Sequence, residues 1–553
     1  MFRLLSTRPG HYLLLTLVSA ALTLPNLGGP SLWDVDEGRN AEAAREMLES
    51  DNWIVPTFNY ELRVDKPALL YWLQIAAYRW FGINEFAARL PSALAAWVTV
   101  CCVYELGRAM FSAATGVLAG LALASAGMFC AAAHFANPDA LLTATSTLNL
   151  TTFWLGHVGG WRWWPIPAAA FAGLAFLSKG PVGLVLPAAI IVLYLLLTRG
   201  LWRALSVHWL LGLGVFLLVT VPWFALVTVE TKGTFPITFF LRHNVERFLA
   251  PMEKHHGPII YYPVVLFLGF VPWSAFLPAA LRHAWRCRLP DEPAGERPES
   301  APHRPGLFLS IWAGVYVLFF TCSQTKLPNY VLPAYPVLAL ATAWFLDSWR
   351  QGRWPLADGW LRASLVLLAG MGMVAALVCV VASGVVPLRV LRGHAFPEAL
   401  SWTPLGLIPL LGAWLGVRCL RRQQRTEALS AVAVGNILFV GILATGIISA
   451  VEPHKAPRSL VERNHLCQTD REIRLAAYDY FQPSLVFYGR RQVEVLHDEL
   501  VLRSLLQGPF PAYVFVPATT WERLRPRMPA DCRVLDQRRD FYVNRDVVVV
   551  SNR

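Results

Sequence analysis

The chain has 553 residues, 55% of them hydrophobic and only 15% charged, with a mean hydropathy of +0.44. Soluble chains carry about 25% charge, so a string of soluble domains is excluded and lipid must be the solvent for most of the protein. The net charge of +12, from 48 Lys+Arg against 36 Asp+Glu, points to nucleic acid only if the basic residues fail to sort into membrane loops.

Spanning helices need roughly 20 mostly apolar residues. In chain order, such segments lie near 11–27, 89–107, 111–133, 139–157, 165–178, 181–198, 207–228, 258–281, 307–322, 331–348, 362–385, 403–418 and 429–450, which predicts about thirteen helices. The first is expected to be an uncleaved anchor, because no small-x-small cleavage pattern precedes Trp33. Alternate short loops then collect Arg3, Arg8, Arg108, Arg162, Arg199, Arg203, the run from Arg282 to Arg304, Arg350, Arg353 and Arg418 to Arg425. That is the positive-inside pattern of a cytoplasmic face, and it accounts for the basic excess without nucleic acid. The opposite face receives the loops 28–88 and 229–257 and a tail from 452 to 553. It also receives every lysine in the chain: Lys66, Lys179, Lys232, Lys254, Lys326 and Lys455.

In the tail, Ile473–Tyr478, Leu485–Tyr488, Gln492–Leu496, Ala512–Val516, Arg533–Leu535 and Asp546–Val550 read as strands, with helices over Asp498–Gln507 and Thr520–Arg527. The predicted fold is therefore an all-α polytopic membrane domain over 1–451 followed by a small periplasmic α/β domain over 452–553. Of nine cysteines, only Cys467 and Cys532 fall in that domain, and a disulfide between them is expected in an oxidising compartment.

The candidate chemistry sits on the outer face. Leu32-Trp33-Asp34-Val35-Asp36-Glu37-Gly38-Arg39-Asn40-Ala41-Glu42 places three acids and an arginine directly after the first span. One acid suffices to cap a helix start, so a functional carboxylate is expected among the others; the helix beginning at Ala41 is expected to lie along the membrane interface. Asp65-Lys66-Pro67 puts an ammonium before a helix N-terminus, an arrangement suited to phosphate. Asn137-Pro138-Asp139, Ser178-Lys179-Gly180-Pro181, the loop residues Arg242, His243, Asn244, Arg247, His255 and His256, and Thr325-Lys326-Leu327-Pro328-Asn329-Tyr330 repeat the theme at other helix ends. Charges at a membrane boundary are costly and usually functional. Together they describe acids and cations converging on one outer vestibule.

These motifs, in this order, resemble the GT-C-fold glycosyltransferases of the protein O-mannosyltransferase-like superfamily, and within it the bacterial lipid A aminoarabinose transferases. The resemblance implies an undecaprenyl phosphate-linked sugar donor, transfer of 4-amino-4-deoxy-L-arabinose to lipid A with inversion at the anomeric carbon, and resistance to polymyxin. It implies an inner-membrane enzyme with its active site in the periplasm. By motif position, Asp36 becomes the key carboxylate with Glu37 beside it, and Asp139 the second acid. Lys66 and Arg39 would hold the donor phosphate, helped by Arg247, Lys326, Tyr330 and Lys179. A divalent metal ion, as some members bind, would here fall to Asp65 and His256. Two other readings remain open: a related transferase acting on protein or another glycolipid, and a lipid-linked sugar transporter or flippase. Transport is disfavoured, since no internal repeat is visible and the ionisable residues cluster at one face.

Overall fold

A computed structural model describes residues 7–204, 206–250, 257–287, 304–353, 357–386, 395–468 and 472–553. The expectations placed on Lys254, His255, His256 and most of the basic run before Arg304 lie outside these residues.

The first nine elements carry most of the site. They are α1 (Arg8–Thr23), α2 (Asp36–Glu49), α3 (Leu69–Phe81), α4 (Glu85–Met110), α5 (Ala113–Ala124), α6 (Gly127–Ala133), α7 (Pro138–Val158), α8 (Pro165–Lys179) and α9 (Val182–Leu197). Their starts follow the sequence chemistry. Thr7 caps α1 by accepting from Gly10 N, Asn84 caps α4 by accepting from Ala87 N, and Pro138 and Pro165 open α7 and α8 where a missing N–H costs nothing.

Among the described residues, seven helices are long and apolar enough to cross a membrane, or nine if each of two bent pairs is one span. The bent pairs are α5 with α6, at 67°, and Tyr261–Gly269 with Trp273–Arg286, at 115°. The other four predicted segments coincide with α1, α7, α8 and α9. Of these α8 and α9 are apolar but short. Helix α7 is long but rich in hydroxyls, which donate inward to the preceding turn, as Thr143 Oγ1 does to Asp139 O (2.8 Å) and Thr147 Oγ1 to Thr143 O (2.6 Å).

The bundle core is aromatic, with Phe153, Trp154, Tyr194, Phe308 and Trp312 interlocked at centroid distances such as 5.0 Å for Trp154–Phe308. The outer helices turn leucine and valine outward: on His208–Glu230, Leu218 is 72% and Val229 76% exposed. In water such a surface would aggregate; against acyl chains it costs nothing.

The chain after residue 456 forms a five-stranded sheet of order β4-β3-β5-β7-β6. Its strands are β3 (Arg474–Tyr478), β4 (Val493–Leu496), β5 (Ala512–Pro517), β6 (Arg533–Asp540) and β7 (Arg545–Ser551); a short hairpin of β1 (Thr57–Phe58) and β2 (Glu61–Leu62) lies in the first loop. β3 pairs in parallel with β4 and β5, while β7 runs antiparallel to β5 and β6. The predicted strand at Leu485–Tyr488 is instead a helix, Ser484–Gly489. All four residues are buried, and a short, fully buried apolar run carries no period that separates strand from helix.

One face of the sheet, with Leu475, Ala477, Phe515 and Val549, shares a core with Ala43, Ala44, Met47, Tyr71 and Tyr78 of the first loop. The other, with Ala476, Val514, Val516 and Val548, packs on Leu502, Leu505 and Trp521. Three predictions change as a result. Helix α2 is not an exposed surface helix; it is buried from Glu37 to Met47 save Arg39, between α3 and the tail domain. The tail is not an isolated module, since its core includes the loop. And Cys467 and Cys532 are free thiols, because they border cores on opposite faces of the sheet, where no S–S bond can reach.

Candidate active site

The loop 28–88, the α8–α9 turn, the segment 239–249 and the end of the helix Pro305–Cys322 enclose a cavity of about 420 Å³. Its walls are apolar, led by Phe239, Phe240, Phe248, Phe319 and Phe320, and its polar lining is Asp65, Lys66, Lys179, His243, Asn244, Arg247, Ser323 and Tyr330. An apolar trough with cations at one end suits an amphiphile with an anionic head.

The α8–α9 turn is tight. Gly180 holds φ +79°, and a Cβ there would stand 2.6 Å from the Phe239 ring, so glycine is needed twice over. This turn delivers Lys179 to Asp139, whose Oδ1 accepts from Nζ; Oδ2 accepts from Asn329 Nδ2 at 2.7 Å. Both oxygens of Asp139 are thus engaged, and its role in the structure is to fix Lys179, whose Nζ lies 4.8 Å from the Tyr330 ring centre. The Arg247 guanidinium approaches the same ring at 6.0 Å, and its buried Nε has no acceptor among the described residues.

Lys66 is the centre of this group. Burial, aided by Lys179 and Arg247, lowers its ammonium pKa to about 8 against the opposing pull of Asp36 and Asp139. Two acids and two further cations named by sequence are therefore within electrostatic reach of this one nitrogen. An anion placed here would meet donors whose mutual repulsion it relieves. Asp36 opens α2, is exposed, and does not itself line the cavity; its link to the site is its charge acting on Lys66. Arg39, one turn further, lies 6.0 Å over the Phe58 ring and acts on Asp65.

Two expected site residues are held elsewhere. Glu37 is 1% exposed and pairs with Arg89 Nη2 at 2.9 Å, while also accepting from Trp33 N (2.8 Å) and Ala136 N (2.6 Å). With four donors satisfied it ties the loop to α4 and α7, and has no lone pair for substrate. Lys326 donates to Thr321 O (2.8 Å) and Ser323 O (3.0 Å), capping the helix Pro305–Cys322, and does not line the cavity.

Of the two expected metal ligands, His256 lies outside the described residues and Asp65 lines the cavity. Asp65 pairs with His243 Nε2 at 3.3 Å and Arg63 Nε at 3.8 Å. Burial alone would raise its pKa, but Arg63, His243, Lys66 and Arg39 together hold it below the usual carboxylate range. Among the described residues no trio of His, Cys, Asp or Glu converges, and a carboxylate ringed by cations does not fit a divalent ion. No step is routed through one. Sequence reading missed the aromatic wall, although the density of Phe235, Phe239, Phe240 and Phe248 was a signal for it. It also missed Arg89, hidden inside an apolar segment.

A protein-family model described as Dolichyl-phosphate-mannose-protein mannosyltransferase matches residues 65–225. The crystal structure of ArnT from Cupriavidus metallidurans bound to undecaprenyl phosphate superposes with a TM-score of 0.82 and 27% identity, covering 99% of each chain. This chain is similar in sequence to both and in fold to the second. Among curated relatives, the undecaprenyl phosphate-alpha-4-amino-4-deoxy-L-arabinose arabinosyl transferase of Edwardsiella ictaluri is 29% identical over 79% of this chain and 76% of its own length. That of Pseudomonas paraeruginosa is 27% identical over 88% and 84%. The archaeal oligosaccharyltransferase AglB from Archaeoglobus fulgidus shares the GT-C fold at 13% identity and a TM-score of 0.51.

Proposed function

We propose that this glycosyltransferase moves 4-amino-4-deoxy-L-arabinose from undecaprenyl phosphate to a phosphate of lipid A at the outer surface of the bacterial inner membrane, so lowering the affinity of polymyxin for the cell. In this reading the chain crosses the membrane thirteen times and both the cavity and the tail domain face the periplasm. The observation that carries it is the crowded Lys66 ammonium, which lines an apolar trough together with Lys179 and Arg247 and feels the charge of Asp36: a site for a phosphate whose lipid tail stays in the membrane.

The chemistry follows from charge. The bond between the anomeric carbon and the donor phosphate oxygen breaks, and its electron pair leaves with the phosphate. Lys66 and Arg247, fixed in a desolvated pocket, stabilise that growing negative charge. The sugar carbon becomes oxocarbenium-like, and Asp36 stabilises its positive charge. A lipid A phosphate oxygen attacks from the opposite face and forms the new C–O bond with inversion. That phosphate is already ionised, so no general base has to remove a proton. Tyr330 lies between Lys179 and Arg247 and fixes their spacing. Both substrates are lipids, which explains why the site opens at the end of a hydrophobic bundle.

Asp36→Asn tests the assignment. Asp36 is exposed at the start of α2, so the variant is expected to fold normally while transfer falls by about 10²-fold or more. Mass spectrometry of lipid A from cells lacking their own transferase reads the product. Lipid A modified at the wild-type level by the Asp36→Asn protein would remove Asp36 from the reaction.

A further inference from the structure

The segment Ser31–Asp34, just before Asp36, lies outside any helix or strand. Its four successive amide groups would have no backbone partner, yet each is held by a side chain. Ser31 N donates to Glu452 Oε2 (2.9 Å), Leu32 N to Tyr488 OH (2.8 Å), Trp33 N to Glu37 Oε2 (2.8 Å) and Asp34 N to Tyr542 OH (3.0 Å). Three of the four acceptors come from the chain after residue 451.

The Asp34 side chain completes the hold. Its Oδ1 accepts from Ser484 N (2.8 Å) and its Oδ2 from Ser484 Oγ. The fit is close enough that a Cβ on Gly38 would stand 2.7 Å from both Asp34 Oδ1 and Ser484 N. Trp33 is boxed in by Lys455 Nζ, 4.4 Å from its ring, and by Phe541 at 6.2 Å. Lys455 Nζ also donates to Ser31 O (2.6 Å).

None of these groups lines the cavity, and a loop merely needing anchorage would not require three of four consecutive amides to be fixed from another domain. Only Val35 separates the last held residue, Asp34, from Asp36, and a carboxylate misplaced by ~1 Å can cost about 10²-fold in rate. We propose that the C-terminal domain is part of the catalytic apparatus: Ser484 and Tyr542 act through Asp34 as positioning residues that fix Asp36 opposite Lys66. The proposal rests on the role given to Asp36 above.

The test uses the full-length protein in nanodiscs with undecaprenyl phosphate-aminoarabinose and lipid A. Turnover is expressed per molecule able to bind undecaprenyl phosphate, so misfolded protein is not counted. Ser484→Ala and Tyr542→Phe are each expected to lower kcat by about 10-fold, with the donor KM unchanged because the phosphate pocket is intact. Ser484→Thr, which keeps the hydroxyl, is expected to restore most of the loss. Unchanged kcat per binding-competent molecule in both variants overturns the proposal. So does a loss appearing in donor KM alone, or an equal loss in Ser484→Thr. If Asp36→Asn itself stays active, the reading of Asp36 fails on its own, whatever the Ser484 variants do.

Discussion

Burial beside Lys179 and Arg247 lowers the Lys66 ammonium pKa from 10.5 to about 8, and the consequence is a pH dependence of donor binding. The folded-state pKa lies below the unfolded one, so charging Lys66 costs stability as pH falls through about 8, and that cost is absent above 10.5. A bound phosphate reverses the balance by favouring the charged form. Above pH 8 the empty protein must take up a proton to bind, while a lipid phosphate monoester is already dianionic. Affinity for undecaprenyl phosphate is therefore expected to fall by up to about tenfold per pH unit between pH 8 and 10, and Lys66→Arg, permanently charged, to flatten the curve. Binding titrations at several pH values read this, and a flat wild-type profile would refute it. The sequence made Lys66, Asp139, Lys179, Arg247 and Tyr330 legible because each stands beside a helix end at one face. It could not tell Asp36 from Glu37, or Lys326 from Lys179. Adjacent charges look alike until packing decides which one is buried against a partner, as Glu37 is against Arg89.

At the level of elements, the loop 28–88 is shaped by the Glu37–Arg89 pair. Arg89 also donates to Leu27 O (2.9 Å), Pro30 O (2.8 Å) and Ser31 O (2.9 Å), so a single guanidinium closes the turn between α1 and α2. Removing one partner of a buried pair leaves an uncompensated charge and costs about 3–5 kcal/mol. Arg89→Ala is expected to lower the thermal midpoint in detergent by several degrees and to cost activity with it. A midpoint within a degree of wild type would show that the pair does not organise the loop. Helices were readable from apolar length, and their starts from Thr7, Asn84 and Pro138. What failed was orientation: α2 has the polar composition of a surface helix, but its charges are satisfied internally, Arg45 by Glu42 and Glu49 (2.7 and 2.8 Å). Paired charges can be buried, and composition alone does not reveal the pairing.

Across the whole molecule, the bundle helices supply Asp139 and Lys179, the segment 239–249 supplies Arg247, the loop 28–88 supplies Asp36 and Lys66, and the tail domain holds that loop. The α/β character of the tail was visible in its alternating strands. Its partnership with the loop was not, because contacts such as Asp34–Ser484 span 450 residues and leave no local pattern. The strand predicted at Leu485–Tyr488 failed for the same reason, since those side chains are buried by a distant segment. The most direct measurement is a structure of this protein, by electron cryo-microscopy in nanodiscs, with undecaprenyl phosphate bound. The phosphate is expected within hydrogen-bond distance of Lys66 Nζ and the Arg247 guanidinium, with Asp36 facing it and the prenyl chain along the wall of Phe239 and Phe320. A phosphate seated at Lys326 or Lys455, or one out of reach of Lys66, would contradict it.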